Sequence, residues 1–113
     1  MNSLISHFDG KEPIVSDIYN RLLADLALFG TIHEVPKQTS IHLDNVSGFA
    51  GIYTRKSYIN LHFRLSRKID NPRITKVKKL SANRYKYTVK LVAVGDIDEQ
   101  LLVWLKEAYE LAG

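Results

Sequence analysis

Two stretches of the chain alternate between apolar and polar side chains at every residue, and this pattern constrains the fold more than any other. Residues 58–65 read YINLHFRL, and residues 84–91 read RYKYTVKL. Successive side chains of a β-strand point to opposite faces, so each stretch predicts a strand that is half buried. The apolar sets are Ile59, Leu61, Phe63 and Leu65 in the first stretch, and Tyr85, Tyr87, Val89 and Leu91 in the second.

Helical periodicity appears instead near both ends of the chain. Residues 13–29 carry apolar side chains three and four positions apart, with a proline at the start and Gly30 after the end. A second helix is predicted within 96–112, where Asp96 can cap the first turn and Glu99 can complete a capping box. Its buried stripe is predicted to be Ile97, Leu101, Leu105, Ala108 and Ala112.

The pattern between the helices is that of short strands joined by short connections. We predict strands near 31–35, 39–43, 49–54, 58–65, 74–80 and 85–92. Short connections favour antiparallel pairing, since parallel pairing needs long crossovers. The glycine pair in GFAG, residues 48–51, indicates a bulge or a close strand contact. The fold class is therefore α+β, with a single antiparallel sheet of about five or six strands between an N-terminal and a C-terminal helix.

We expect both helices to pack on the apolar face of this sheet. The chain has 113 residues, which suits one domain with one modest core, so residues 1–113 are interpreted as a single domain. The opposite, polar face is then left without a helix.

Charge is distributed unevenly along the chain. Residues 55–90 hold twelve Lys or Arg and one acid, Asp70, whereas the remaining residues hold four cations and eleven acids. Such asymmetry is typical of proteins that bind polyanions, because clustered cations displace counterions from a phosphate backbone. It is also compatible with a solvated strand face whose cations are offset by the acidic helices.

The polar sheet face supplies the candidate binding residues. They are Tyr58, His62, Arg64, Lys76, Lys78, Arg84, Lys86 and Lys90, with Tyr53 as a further aromatic side chain. Aromatic groups among cations favour a surface that binds single-stranded nucleic acid or another polyanion. The same composition is found on ordinary exposed sheets, where aromatic side chains suit the pleat and lysine discourages aggregation at edges.

Catalytic and metal-binding patterns do not emerge from the sequence. The four histidines, His7, His33, His42 and His62, lack metal-site spacing, and no serine or carboxylate stands in a recognisable catalytic motif. We predict no catalytic residue, no metal and no cofactor, and expect a binding protein rather than an enzyme.

An alternative function rests on the C-terminal helix. Residues 101–105, LLVWL, cover more than one helical face, so Val103 and Trp104 are candidates for an interface with a homodimer or another protein. In the competing interpretation, Trp104 packs against the sheet or the first helix. A small-ligand pocket between the helices and the sheet belongs to the same alternative, again without catalysis.

Composition also bears on location. The chain has no cysteine, which suits a reducing compartment, and its longest apolar run is 101–105, far below the roughly 20 residues that span a bilayer. Its first residues lack a basic segment followed by a sustained apolar one, so we expect no signal peptide. These features predict a cytoplasmic protein without a membrane partner.

Nearly the whole chain resembles a family of uncharacterised bacterial domains. The resemblance is carried by HFDGKEPIVSDIYNRLLADLALFG at 7–30, HEVPKQTSIHL at 33–43, FAGIYTRKSYINLHFRL at 49–65, DNPRITKVKKLSANRYKYTVKL at 70–91 and DEQLLVWLKEAYELA at 98–112. That domain of unknown function is found alone and as the C-terminal module of proteins labelled as predicted transport proteins, some with nuclease-like N-terminal regions.

The resemblance implies a standalone α+β module and supplies no active site. The positions that match recurrent ones of the family are His7, Gly10, Lys11, Pro13, Tyr19, Lys37, Thr39, Pro72 and Tyr109. Nuclease-like neighbours imply, by analogy alone, a role related to nucleic acid.

Overall fold

A computed structural model describes residues 3–113 and consists of two α-helices and one six-stranded antiparallel sheet. The helices are α1 (Pro13–Leu26) and α2 (Glu99–Leu111), with short 3₁₀ turns at Ile5–His7 and Val94–Asp96. The strands are β1 (His33–Pro36), β2 (Ile41–Asp44), β3 (Gly48–Thr54), β4 (Ile59–Leu65), β5 (Ile74–Ser81) and β6 (Arg84–Leu91). The predicted α+β class and all six predicted strands are confirmed.

Strand order departs from chain order at one place. The order across the sheet is β1-β2-β3-β4-β6-β5, so β6 lies between β4 and β5. Residues 66–73 connect β4 to the edge strand β5 and pass along α2. Arg67 pairs with Glu107 at 3.1 Å, and Arg73 pairs with Asp98 at 2.7 Å. Because these partners lie near the two ends of α2, the connection runs on the helix side of the sheet.

A buried tyrosine of β6 fixes this crossover to the core. The Tyr87 hydroxyl donates to the Arg67 carbonyl oxygen and accepts from the Ile69 N–H, at 2.9 Å each. Its ring is fully buried. Both capacities of the hydroxyl are thus used, as a buried polar group requires.

The helices cover one face of the sheet, called the inner face below. Ile59, Leu61, Phe63 and Leu65 of β4 are fully buried there, as the alternation predicts. The ring of Trp104, on α2, stacks on Phe63 with 5.8 Å between centroids. The predicted stripe of α2 is also confirmed, since Ile97, Leu101, Leu105, Ala108 and Ala112 are all buried. Within residues 3–113, both α-helices pack on the inner face. The opposite, outer face is therefore open to solvent.

The C-terminal end of α1 differs from the prediction. Helix α1 was expected to reach Phe29 but ends at Leu26, after which Leu28 and Phe29 N–H groups donate to carbonyls three residues back. Gly30 then takes a φ of 148°, which ends the turn in a conformation that favours glycine.

The predicted cap of α2 was wrong by two residues. Asp98, not Asp96, caps the helix by accepting from the Leu101 N–H at 3.0 Å. Asp96 instead accepts from the N–H groups of Val92 and Ala93 and closes the end of β6. The bond from Leu101, followed by the contact with Arg73, holds the pKa of Asp98 below its ordinary value.

The bulge expected near residues 48–51 is present. The β2–β3 register shifts between Leu43 and Asp44, where Leu43 faces Ala50 and Asp44 faces Gly48. Phe49 is the extra residue, and it is buried with its ring edge-on to Tyr109 of α2 at 5.3 Å.

Neither α-helix of the described residues is long and apolar enough to cross a bilayer.

Candidate functional site

The outer face brings most of the predicted binding residues together across the three strands β4, β6 and β5. His62 of β4 lies opposite Thr88 of β6, which lies opposite Lys76 of β5. Asn60 lies opposite Lys90 in the same way. Alternation places Arg84 on this face as well, at the end of β6.

Three cations lie directly opposite one another on the outer face, in a row from β4 to the edge strand β5. Arg64 of β4 is the partner of Lys86 of β6, and Lys86 is in turn the partner of Lys78 of β5. We call these three residues the cationic row. Cross-strand partners have Cβ atoms about 4.5–5.5 Å apart, and like charges at that distance destabilise a sheet. The fold therefore tolerates a local electrostatic cost at this place.

No carboxylate within residues 3–113 forms an ion pair with the cationic row. The ion pairs of that part of the chain are Arg21–Asp25, Arg67–Glu107 and Arg73–Asp98. Two of the twelve cations counted in the sequence, Arg67 and Arg73, thus turn to the acids of α2. Glu107 of α2 and the N-cap residue Asp98 offset these two arginines on the inner side and leave the cationic row unneutralised.

An aromatic pair lies beside the cationic row. The rings of Tyr53, on β3, and His62, on β4, have centroids 4.6 Å apart and planes tilted by 36°. Burial, and then the charges of Lys86, Lys76 and Arg55, lower the pKa of His62 to about 4. His62 is consequently a neutral imidazole at neutral pH and contributes an aromatic surface rather than a charge.

Tyr58, another of the predicted binding residues, contacts Lys90 on the same surface. The ammonium Nζ of Lys90 lies 4.2 Å from the centroid of the Tyr58 ring, within the range of a cation–π contact. One face of the ring is therefore already covered by a side chain of the same surface. The exposed aromatic surface at the centre is the Tyr53–His62 pair.

A small depression opens on one side of the Tyr53–His62 pair, above Gly51. It has a volume of about 80 Å³, and its polar rim is formed by His42, Tyr53, His62, Arg64 and Lys86. Gly51 lies between His42 and His62 in the cross-strand register and has no side chain to fill the space. Glycine within a strand often marks a site where another group approaches the backbone closely. We call this space the Gly51 depression.

A second depression lies on the other side of the same pair. It has a volume of about 420 Å³ and is lined by Tyr53, Arg55, Asn60, His62, Thr75, Lys76 and Thr88. Thr75 reaches this position because the β5–β6 register shifts between Ile74 and Lys76. We call this space the Lys76 depression, after the cation that lines it on the edge strand β5. Each depression thus has two cations, Arg64 and Lys86 in one, and Arg55 and Lys76 in the other.

The comparison with protein families identifies the chain. The family model described as domain of unknown function (DUF5655) matches residues 5–112. The chain belongs to this family. No curated protein and no solved structure matches the chain. The family assignment agrees with the resemblance to a domain of unknown function seen in the sequence.

In this DUF5655 domain, three of the positions that the sequence resemblance singled out hold the helices and the N-terminal turn to β1 and the residues next to it. His7 Nε2 donates to the Lys37 carbonyl oxygen at 2.8 Å, and the Tyr19 hydroxyl donates to Glu34 at 2.6 Å. The Tyr109 hydroxyl donates to the Thr31 carbonyl oxygen at 2.9 Å. Burial and the bond to Glu34 raise the pKa of Tyr19, which remains protonated. These hydrogen bonds give His7, Tyr19 and Tyr109 a structural role.

The two candidate interface residues of α2 have different environments. Trp104 is only 7% exposed and belongs to the core of the DUF5655 domain, whereas Val103 is 56% exposed. Val103 lines a groove between α1 and α2 together with Phe29 and Leu102. An interface at this helix stays a prediction, with Val103 as the exposed member of the pair.

Sequence reasoning missed three contributors to the outer face. His42, Gly51 and Arg55 lie around the Tyr53–His62 pair because β2 and β3 continue the sheet beyond β4. Alternation along β3 would place Gly51 and Tyr53 on one face, but the partners of that face depend on strand order. No local signal marks Gly51 as the floor of a depression.

Proposed function

We propose that this domain binds nucleic acid or another polyanion through the outer face of its sheet. The observation that carries the proposal is the cationic row, in which Arg64, Lys86 and Lys78 face one another without a carboxylate partner in residues 3–113. An anion bound over the row would relieve the repulsion between these cations, and displaced counterions would add to the free energy of binding.

One other feature supports the same function. The resemblance seen in the sequence includes proteins with nuclease-like regions, which favours a role related to nucleic acid by analogy. The alternative of a protein interface on α2 has weaker support, because Trp104 is packed in the core and Val103 alone offers little apolar surface.

The test is fluorescence anisotropy with a labelled single-stranded oligonucleotide at several salt concentrations. Four cations line the two depressions. If the two cations of each depression neutralise one phosphate, log Kd should change with log salt with a slope of about 1.4, and affinity should fall about sevenfold between 50 and 200 mM salt. The absence of any anisotropy change at low salt would refute the proposal.

Charge reversal separates the outer face from the net charge of the protein. The double variant Arg64→Glu plus Lys86→Glu should fold and lose binding. The matched control is Lys68→Glu plus Lys106→Glu, which lowers the net charge of +4 by the same amount at exposed positions in the crossover and on α2. The control should retain most of the affinity, and equal losses in the two double variants would contradict a localised site.

A further inference from the structure

The order of charges and rings across the outer face suggests a ligand of a particular shape. Tyr53 and His62 line both the Gly51 depression and the Lys76 depression, so the aromatic pair stands between them. Arg64 and Lys86 border one side, and Arg55 and Lys76 border the other. The complementary ligand has a planar group with an anionic group on each side of it.

We propose that the outer face selects single-stranded nucleic acid by stacking one base on the Tyr53–His62 pair, with the two flanking phosphates in the Gly51 and Lys76 depressions. This inference rests on the proposed function and specifies its ligand. A nucleotide within a strand has the required order of phosphate, base-bearing unit and phosphate. Aromatic side chains bind bases of any identity by stacking, so no particular sequence is required.

The groups around the Gly51 depression suit a phosphate. Two cations at the rim, Arg64 and Lys86, supply charge-assisted hydrogen bonds to phosphate oxygens.

The aromatic pair suits a neutral, planar partner. The Tyr53 and His62 rings are in mutual contact at 4.6 Å, and both are partly exposed. His62 is neutral at neutral pH, since its pKa is lowered to about 4. A base stacked here needs no counter-charge of its own, so the charged interactions remain with the phosphates.

Double-stranded nucleic acid offers only half of this complementarity. Its bases are stacked within the duplex and cannot reach an aromatic pair on a sheet face, so a duplex would contact the cations alone. A strand of equal length without bases would do the same. Discrimination between these ligands therefore isolates the contribution of the Tyr53–His62 pair.

The Gly51 depression can be filled without disturbing the backbone. A Cβ atom built on Gly51 would meet Tyr53 Cε1 at 3.7 Å and His62 Cβ at 3.9 Å, which are ordinary contacts. Glycine within a strand weakens it, because it has no side chain to pack. Gly51→Ala should therefore fold at least as well as the natural chain while narrowing the space proposed for a phosphate.

The experiment compares three labelled ligands of one length: a single strand, an abasic single strand and a duplex. Dissociation constants are measured by anisotropy at one low salt concentration. The natural chain should bind the single strand roughly 5- to 150-fold more tightly than the abasic strand, the range expected for one stacked base. Tyr53→Leu should remove most of this difference.

Two further variants locate the contacts. Gly51→Ala should weaken binding of both the normal and the abasic strand, because it acts on a phosphate. Tyr58→Leu is the matched aromatic control, since the Tyr58 ring is already covered by Lys90. It should change the preference for bases less than about twofold, well below the effect of one stacked base.

The outcomes distinguish this inference from the proposed function. Equal affinity of the natural chain for the normal and abasic strands, or tighter binding of the duplex, would overturn base stacking and leave polyanion binding intact. Failure to bind any of the three ligands would overturn the proposed function as well. The comparison of ligands on the natural chain decides the matter even if a variant does not fold.

Discussion

Lys86→Glu should make this protein more stable, although it removes a cation from the centre of the candidate site. In the natural chain Lys86 lies between two cations, Arg64 on β4 and Lys78 on β5. Glutamate at this position would turn both like-charge pairs into opposite-charge pairs. A residue that lowers stability where it stands is typical of a functional site.

The size of the effect follows from the register. An opposite-charge pair across two strands contributes about 0.2–1 kcal/mol, so two pairs contribute about 0.4–2 kcal/mol. Lys86 is partly exposed, and solvent weakens such pairs. We therefore expect the free energy of unfolding to rise by an amount near the middle of this range, about 1 kcal/mol. For a domain of this size that gain raises the midpoint of thermal unfolding by about 3–5 °C.

Urea denaturation at 50 mM and at 1 M NaCl measures the effect. The gain should shrink strongly at 1 M salt, where the Debye length is about 3 Å. Lys106→Glu is the control, because Lys106 is exposed on α2 and lies four residues before Glu110. There, glutamate creates a like-charge pair within the helix and should bring no gain.

Either of two results would refute this reasoning about Lys86. If Lys86→Glu destabilises the protein at low salt, the three cations do not repel one another as their register requires. If the gain persists at 1 M salt, its origin is not electrostatic. Either result would also remove the main support for a binding site over the cationic row.

Three further predictions concern stability. Tyr87→Phe leaves the Arg67 carbonyl and Ile69 N–H without their partner, and should cost about 1–3 kcal/mol in urea denaturation; an unchanged midpoint would contradict the anchoring of the crossover. Gly30→Ala should also destabilise, since Gly30 has a φ of 148° and a Cβ there would lie 2.5 Å from the Tyr109 hydroxyl; Tyr109→Phe in the same chain should recover only part of the loss. The pKa of His62 is lowered from 6.5 to about 4, so between these pH values the unfolded chain binds more protons than the folded one, and stability falls as pH falls. The midpoint of thermal unfolding of His62→Gln should therefore decline less over that interval than the midpoint of the natural chain. Equal declines in the two proteins would refute the lowered pKa.

Much of the fold could be predicted from local patterns. Alternation in 58–65 and 84–91 assigned each side chain of β4 and β6 to its face, because the pleat of a strand allows only two directions. Helical spacing gave the stripe of α2 for the corresponding reason. The ends of elements were less certain: Asp96 and Asp98 are both aspartates suitable for a cap, and the 3₁₀ turn at Val94–Asp96 decides between them.

The candidate site was predicted in composition but not in arrangement. Arg64, Lys76, Lys78 and Lys86 were assigned to a polar face, and they do share the outer face. Their alignment, however, follows from β6 lying between β4 and β5. Arg67 and Arg73 counted equally in the sequence, yet the crossover takes them to the acids of α2.

The sequence by itself determined which side chains of β4, β6 and the α2 stripe face the core and which face away from it, because that choice follows from periodicity within a single element. Only the tertiary structure decided which of those side chains are neighbours. Strand order and register depend on contacts between residues far apart in the chain, and these place Lys86 between Arg64 and Lys78, and Tyr53 beside His62. A patterned strand thus becomes a surface with two depressions and an aromatic pair only once its neighbours are in place.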